Sequence, residues 1–308
     1  MLKPNTSPFV WGVIICLLGA VCFSTKAIFV KLAYRDTQID AVSLLALRMI
    51  FSLPFFLISA GVYSSKENNV KFTARQWLYI AVIGCLGYYI SSLLDFLGLQ
   101  FVTAGIERLI LFIYPTLVLL MNAVLFKQKI KTIQWIAVGI TYAGLLFAFF
   151  GEVDIDSAQS ESFLWGSLLI FICAFTYAAY IVGSGKLIPM VGAIKFNSYA
   201  MSFACVGVFL HFLVTSEQSL LALPKQVYTY SFLMAILSTV IPSYLVTMGI
   251  RRIGSDNAAI VGSVGPVSTI LLAYYFLNES VYALQIVGTA MILVGILLIS
   301  KGKKQEVV

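Results

Sequence analysis

Residues 98–149 read GLQFVTAGIERLILFIYPTLVLLMNAVLFKQKIKTIQWIAVGITYAGLLFAF, and residues 249–300 read GIRRIGSDNAAIVGSVGPVSTILLAYYFLNESVYALQIVGTAMILVGILLIS. Gly98 falls on Gly249, Pro115 on Pro266, Gln134 on Gln285 and Gly144 on Gly295, all at one offset of 151 residues. A register held across two apolar spans and the turn between them is the trace of a duplicated membrane unit.

Working outward, the rest of the chain has the same character. Of 308 residues, 60% are hydrophobic and 11% charged, against roughly 25% charged in a soluble domain. A hydrocarbon core about 30 Å thick takes about 20 apolar residues of helix. Runs of that kind follow one another at 9–32, 41–63, 77–101, 104–126, 133–150, 163–185, 194–214, 230–250, 257–277 and 282–300. The expected fold is an all-α integral membrane protein of about ten transmembrane helices. Its first five-helix unit spans 1–151 and its second 163–308, which ends in a short basic tail; the polar segment EVDIDSAQSES at 152–162 links them. The opening MLKPNTSPFVWGVIICLLGAVC has some features of an export signal, but Gly19 stands where a lipoprotein signal carries Leu, and the segment is expected to be retained.

The net charge of +7 does not point to nucleic acid, because Lys and Arg sit in the short connections, where they orient helices. With a cytoplasmic amino terminus, 14 of the 20 fall on the inner side, 3 outside (Lys31, Arg35, Lys225) and 3 within spans. Both termini are therefore expected in the cytoplasm. Five spans per unit is an odd number, so the second unit enters the bilayer from the opposite side. The turn FKQKIK carries three Lys, whereas its counterpart LNESVY carries Glu279 and none. That is the pattern of inverted repeats, with a site expected between the halves near the midplane. Trp11, Trp77, Trp135 and Trp165 stand near span starts as interfacial anchors. The five cysteines lie in apolar runs without metal-ligand spacing and read as small buried hydrophobes.

The chain resembles the EamA-type members of the drug/metabolite transporter superfamily over essentially its whole length. The resemblance is carried by Lys31, Leu47-Arg48, the GLQFVTAG turn, the Pro115 and Pro266 helices and LNES-x5-Q-x2-G from Leu277 to Gly288. The family usually has Glu after both proline helices; here Gln128 stands opposite Glu279. The resemblance implies a carrier of small metabolites, often an exporter, with no nucleotide-hydrolysing subunit. No cofactor is expected.

Charges inside the spans mark where chemistry is expected. Lys26, Arg48, Asp95, Glu107 and Arg108 each carry an insertion cost of about 2.5–3.5 kcal/mol at the centre of a span unless paired or hydrated. The counterparts of Arg48, Asp95, Glu107 and Arg108 are Tyr199, Val246, Ala258 and Ala259, so charge is confined to the first half. Three cations against two anions leave one positive charge for a substrate carboxylate or phosphate. The competing reading makes Glu107 and Arg108 interfacial and pairs Asp95 with Lys26 or Arg108 to hold helices together. The polar cluster Tyr88, Ser91, Ser92 and Asp95 in the third span, with Tyr180, Tyr199 and Ser243 in the second half, completes the expected pathway. Asp95 and Glu107 are the candidate proton sites if protons are the coupling ion. Pro115 and Pro266 are expected to bend their helices beside the cavity.

The expected function is a secondary carrier in a bacterial cytoplasmic (inner) membrane, as monomer or homodimer, moving a small polar or amphipathic metabolite such as an amino acid by alternating access. Its partners are that small-molecule substrate and the lipid bilayer, with no nucleic acid. Alternatives are an integral membrane enzyme using the Asp95, Glu107 and Arg108 group, or a non-transporting receptor or assembly protein. No Walker loop, His-Glu-x-x-His or Gly-x-Ser-x-Gly is present, and the one His, His211, cannot build a conventional metal cluster.

Overall fold

The computed structural model describes residues 8–64, 71–149, 161–216, 218–277 and 283–302. Among these residues the regular structure is helix alone: α1 (Pro8–Asp36), α2 (Ala41–Ser64), α3 (Ala74–Gly98), α4 (Ala104–Leu111), α5 (Tyr114–Phe126), α6 (Thr132–Phe149), α7 (Glu161–Val191), α8 (Ala193–Thr215), α9 (Lys225–Val261), α10 (Gly265–Leu277) and α11 (Ala283–Gly302). Six of them, α1, α2, α3, α7, α8 and α9, are long and apolar enough to cross a membrane. Most of the expected linker, the Glu279 turn and the end of the basic tail lie outside the described residues. Large apolar side chains such as Ile58, Leu78, Val124, Phe175 and Leu210 are exposed around the outside. A bilayer covers such surface; water would not tolerate so much of it.

The departures from regular helix recur at the spacing of the sequence echo. α3 passes through a π turn at Cys85–Ile90, and α9 passes through one at Ile236–Val240; their first residues are 151 positions apart. α9 is interrupted at Gly254, whose φ of 80° and ψ of 164° are not helical, so that its last residues form a separate short helix. The pair α4 and α5 is broken at Phe112 and Ile113, and that short helix gives way to α10 through a 3-10 turn at Gly262–Val264. Both breaks come just ahead of a proline. Pro115 and Pro266 stand in the first turn of the helix that follows, where a missing N–H leaves no intrahelical bond unmade.

Packing repeats as well. α1 lies along α9 and also touches α10, while α7 lies along α3 and also touches α4 and α5. α2 pairs with α8, and α6 with α11. The last pair closes through small residues: the position a side chain would take on Gly144 abuts the Gly288 carbonyl, and that on Gly295 abuts the Ala137 carbonyl. These are equivalent contacts, because 137 and 288, like 144 and 295, differ by 151. The helices α1 to α5, α7 and α9 are thereby gathered around one interior space.

Candidate functional site

That space is a cavity of about 80 Å³, walled by α1 to α5 on one side and by α7, α9 and the turn into α10 on the other. At about 30 Å³ per water, its volume corresponds to about three water molecules. Six of the residues singled out in the sequence line it: Lys26, Arg48, Tyr88, Ser91, Ser92 and Arg108.

The charges around it are arranged by the helices that carry them. Thr103 caps α4, its hydroxyl accepting from Ile106 N at 3.1 Å and its carbonyl from Glu107 N at 3.0 Å. Glu107 thus sits in the first turn of α4, where a carboxylate is favoured by the helix dipole. Lys26 Nζ on α1 is 2.7 Å from Asp95 Oδ2 on α3 and 3.8 Å from Glu107 Oε1. Arg108 Nε is 3.0 Å from Glu107 Oε2, and Arg108 donates from Nη2 to the Phe23 carbonyl at 3.1 Å. Asp95 and Glu107 are both fully buried. Two cations and two carboxylates therefore form one neutral chain that ties α1, α3 and α4 together.

Arg48 stands apart from this chain. It is 2% exposed, and its guanidinium carbon lies 4.9 Å from the centre of the Phe96 ring. Among the described residues its Nε and Nη2 make no hydrogen bond, and no carboxylate lies within ion-pair distance. The other expected residues fall as follows. Tyr180 is buried behind the wall, its ring edge-on to Tyr88 at 4.9 Å and stacked on Tyr177 at 5.9 Å. Ser243 accepts from Asn197 Nδ2 at 3.0 Å and faces α8 rather than the cavity. Tyr199 lies away from it too, hydrogen-bonded to Ser64 at 2.8 Å and packed against Trp77 and Phe72. Pro115 and Pro266 are buried beside the helix breaks.

Tyr114 and Tyr177 also line the cavity, although the sequence reading passed over them. Their rings are 5.2 Å apart, and the Tyr114 hydroxyl donates to the Ala259 carbonyl at 3.0 Å, bridging the two halves. It occupies the place where a side chain on Gly262 would begin, which is why glycine stands there. The available signals were the position of Tyr114 directly before Pro115 and the spacing of Tyr177 one turn before Tyr180. A second cavity, about 450 Å³, is lined by Gln128, Lys129, Lys131, Lys186 and Asp256 among others. Residues 255–259 separate the two, since Ala258 and Ala259 line the first and Ser255, Asp256 and Asn257 the second. Asn122 of α5 fastens this segment by donating to Ser255 Oγ at 3.0 Å and to Asp256 Oδ1.

A family model described as the EamA-like transporter family matches residues 10–150 and 164–301. The chain is 31% identical over 282 residues to a Bacillus subtilis (strain 168) protein named uncharacterized transporter YcbK, covering 90% of this chain and 88% of the relative. It is 21% identical over 296 residues to the Salmonella typhimurium (strain LT2) protein named uncharacterized inner membrane transporter YicL, covering 96% and 97%. A solved structure described as a crystal structure of a protein shares the fold with a TM-score of 0.75 at 16% identity, covering 94% of this chain and 98% of that one.

Proposed function

This chain belongs to the EamA-like transporter family and is a multi-pass membrane transporter, and from that premise we propose a specific mode of action. It is a secondary carrier that moves a small polar or amphipathic metabolite, of the size and kind of an amino acid, by alternating access, and it works outward as an exporter. The observation that carries this reading is the cavity walled by both halves of the chain, polar and charged within an otherwise apolar bundle. Buried charge of this kind marks a pathway far more often than a structural accident. The ten spans form two inverted five-helix units in a bacterial cytoplasmic membrane, with both termini inside. The recurrence of the π turns and helix breaks at a spacing of 151 supports the duplication. The name of the Salmonella relative supports the membrane.

Alternating access needs an element with two stable arrangements. The Tyr114 bridge to Ala259 and the Asn122 contacts to Ser255 and Asp256 close the path between the two cavities. The helix breaks at 112–113 and 262–264 flank that closure and serve as its hinges. Reconstituted into vesicles, the protein is expected to move members of a panel of amino acids, nucleobases and organic anions; absence of flux for all of them counts against the carrier reading.

Two further outcomes follow. Cysteines placed at Lys129 and at Glu279 are expected to react with impermeant thiol reagents from opposite sides of the membrane. Labelling of both from one side would undo the inverted arrangement. Asp95 and Glu107 are the proton carriers of this proposal, because they are the two carboxylates of the buried network. Asp95→Asn and Glu107→Gln are each expected to flatten the dependence of flux on an imposed pH gradient. If both variants keep the wild-type pH profile, the coupling proton travels elsewhere.

A further inference from the structure

Among the described charges around the cavity, Lys26 and Arg108 are offset by Asp95 and Glu107, and Arg48 is the cation left over. The two nitrogens without a hydrogen bond, Nε and Nη2, form the side-on edge of the guanidinium. That edge presents two parallel N–H groups, the spacing that matches two oxygens on one carbon or phosphorus. Arg48 lines the cavity beside Tyr88 and Ser92. A buried fork with no acceptor is costly unless a ligand supplies one.

We propose that Arg48 is the anion-recognition residue of the cavity and that the transported metabolite is a compact monocarboxylate-bearing molecule, its carboxylate held side-on by Nε and Nη2. This rests on the carrier reading above and narrows its substrate class. One uncompensated positive charge matches a monoanionic group better than a phosphate dianion. The cavity sets the size: at about 80 Å³ it is about half the roughly 150 Å³ that receives a benzene ring, so it favours the smallest carboxylates, from acetate to lactate or alanine. Rings of Phe112, Tyr114 and Tyr177 and the side chains of Ile181 and Val246 receive the remainder of the molecule. Asp95 and Glu107 do not line the cavity, whereas Lys26 and Arg108 do.

The test is the thermal unfolding midpoint of the full-length protein in detergent, at matched ionic strength, with acetate, lactate, alanine, acetamide, lactamide or inorganic phosphate. At least one carboxylate is expected to raise the midpoint while the amides leave it unchanged. Arg48→Gln is expected to abolish the rise, and Arg48→Lys to weaken apparent affinity about tenfold or more, because an ammonium lacks the planar fork. Amides as effective as carboxylates, a response retained in Arg48→Gln, phosphate outperforming every carboxylate, or silence of all three carboxylates would each overturn the proposal. Should Arg48→Gln not fold, lactate against lactamide on the unmodified protein decides alone. The vesicle assay keeps the two readings separate. Carboxylate binding at Arg48 without flux of any compound removes the carrier and keeps the site, whereas undiminished flux through Arg48→Gln removes the site and keeps the carrier.

Discussion

Replacing Lys26 by Met will lower stability by about 3–5 kcal/mol, and the double substitution Lys26→Met with Asp95→Asn will be the more stable of the two variants. The Lys26 ammonium is shared, 2.7 Å from one carboxylate and 3.8 Å from the other, and neither Asp95 nor Glu107 has access to solvent. Removing one partner of a buried ion pair leaves an uncompensated charge, which is the source of that magnitude. With Lys26 gone, Arg108 alone faces two carboxylates. Neutralising Asp95 as well leaves Glu107 and Arg108 as a matched pair 3.0 Å apart, so most of the loss should be recovered. The non-additivity is the diagnostic quantity, and a double-mutant cycle in detergent by chemical unfolding reads it directly. Equal stability of Lys26→Met and the unmodified protein would mean that water, not the ammonium, satisfies the carboxylates.

The membership of that network was legible in the sequence, and its wiring was not. Lys26, Asp95, Glu107 and Arg108 stand out because each breaks an apolar run. Which acid pairs with which base depends on how three helices are turned toward one another, and no spacing along the chain encodes that. The depth of Glu107 was misleading in the same way. Its place near the start of a span suited an interfacial role equally well, yet α4 lies against α7 and α10 and buries the side chain completely. The helix breaks could be anticipated, because proline announces them. The π turns carry no such sign: all residues of Cys85–Ile90 are ordinary helix formers or glycine, and the extra residue is accommodated by packing against α7 and α8. Tyr199 and Ser243 were drawn to the pathway by their counterparts and their polarity, but polarity is also what joins helix to helix. Ser243 with Asn197, and Tyr199 with Ser64, are such joints. Arg48 shows the converse, since only the accounting of its neighbours' charges separates it from the other four.

Gly84→Ala will destabilise the protein by about 1–3 kcal/mol, while Gly139→Ala, a chemically identical change, will leave it unaltered or stabilise it by up to about 1 kcal/mol. A methyl on Gly84 would lie 2.8 Å from both the Cα and the carbonyl carbon of Ala200, closer than carbon atoms pack. The obstacle is backbone, so no rotamer change relieves it, and α3 must move away from α8. On Gly139 the same methyl meets nothing within 4 Å, and the position is exposed on the outer face of α6. There the gain in helix propensity is unopposed. The consequence for function follows from where Gly84 sits. It is the last residue before the π turn, and Tyr88, Ser92 and Asp95 follow on the same helix. Displacing α3 would carry the hydroxyl of Tyr88 away from Arg48's side of the cavity and stretch the contact of Asp95 with Lys26. Gly84→Ala protein that folds should therefore lose flux out of proportion to its stability, and Gly139→Ala should transport as the unmodified protein does. Equal flux and equal unfolding midpoints for the two variants would show that the α3–α8 contact is not what positions the cavity wall.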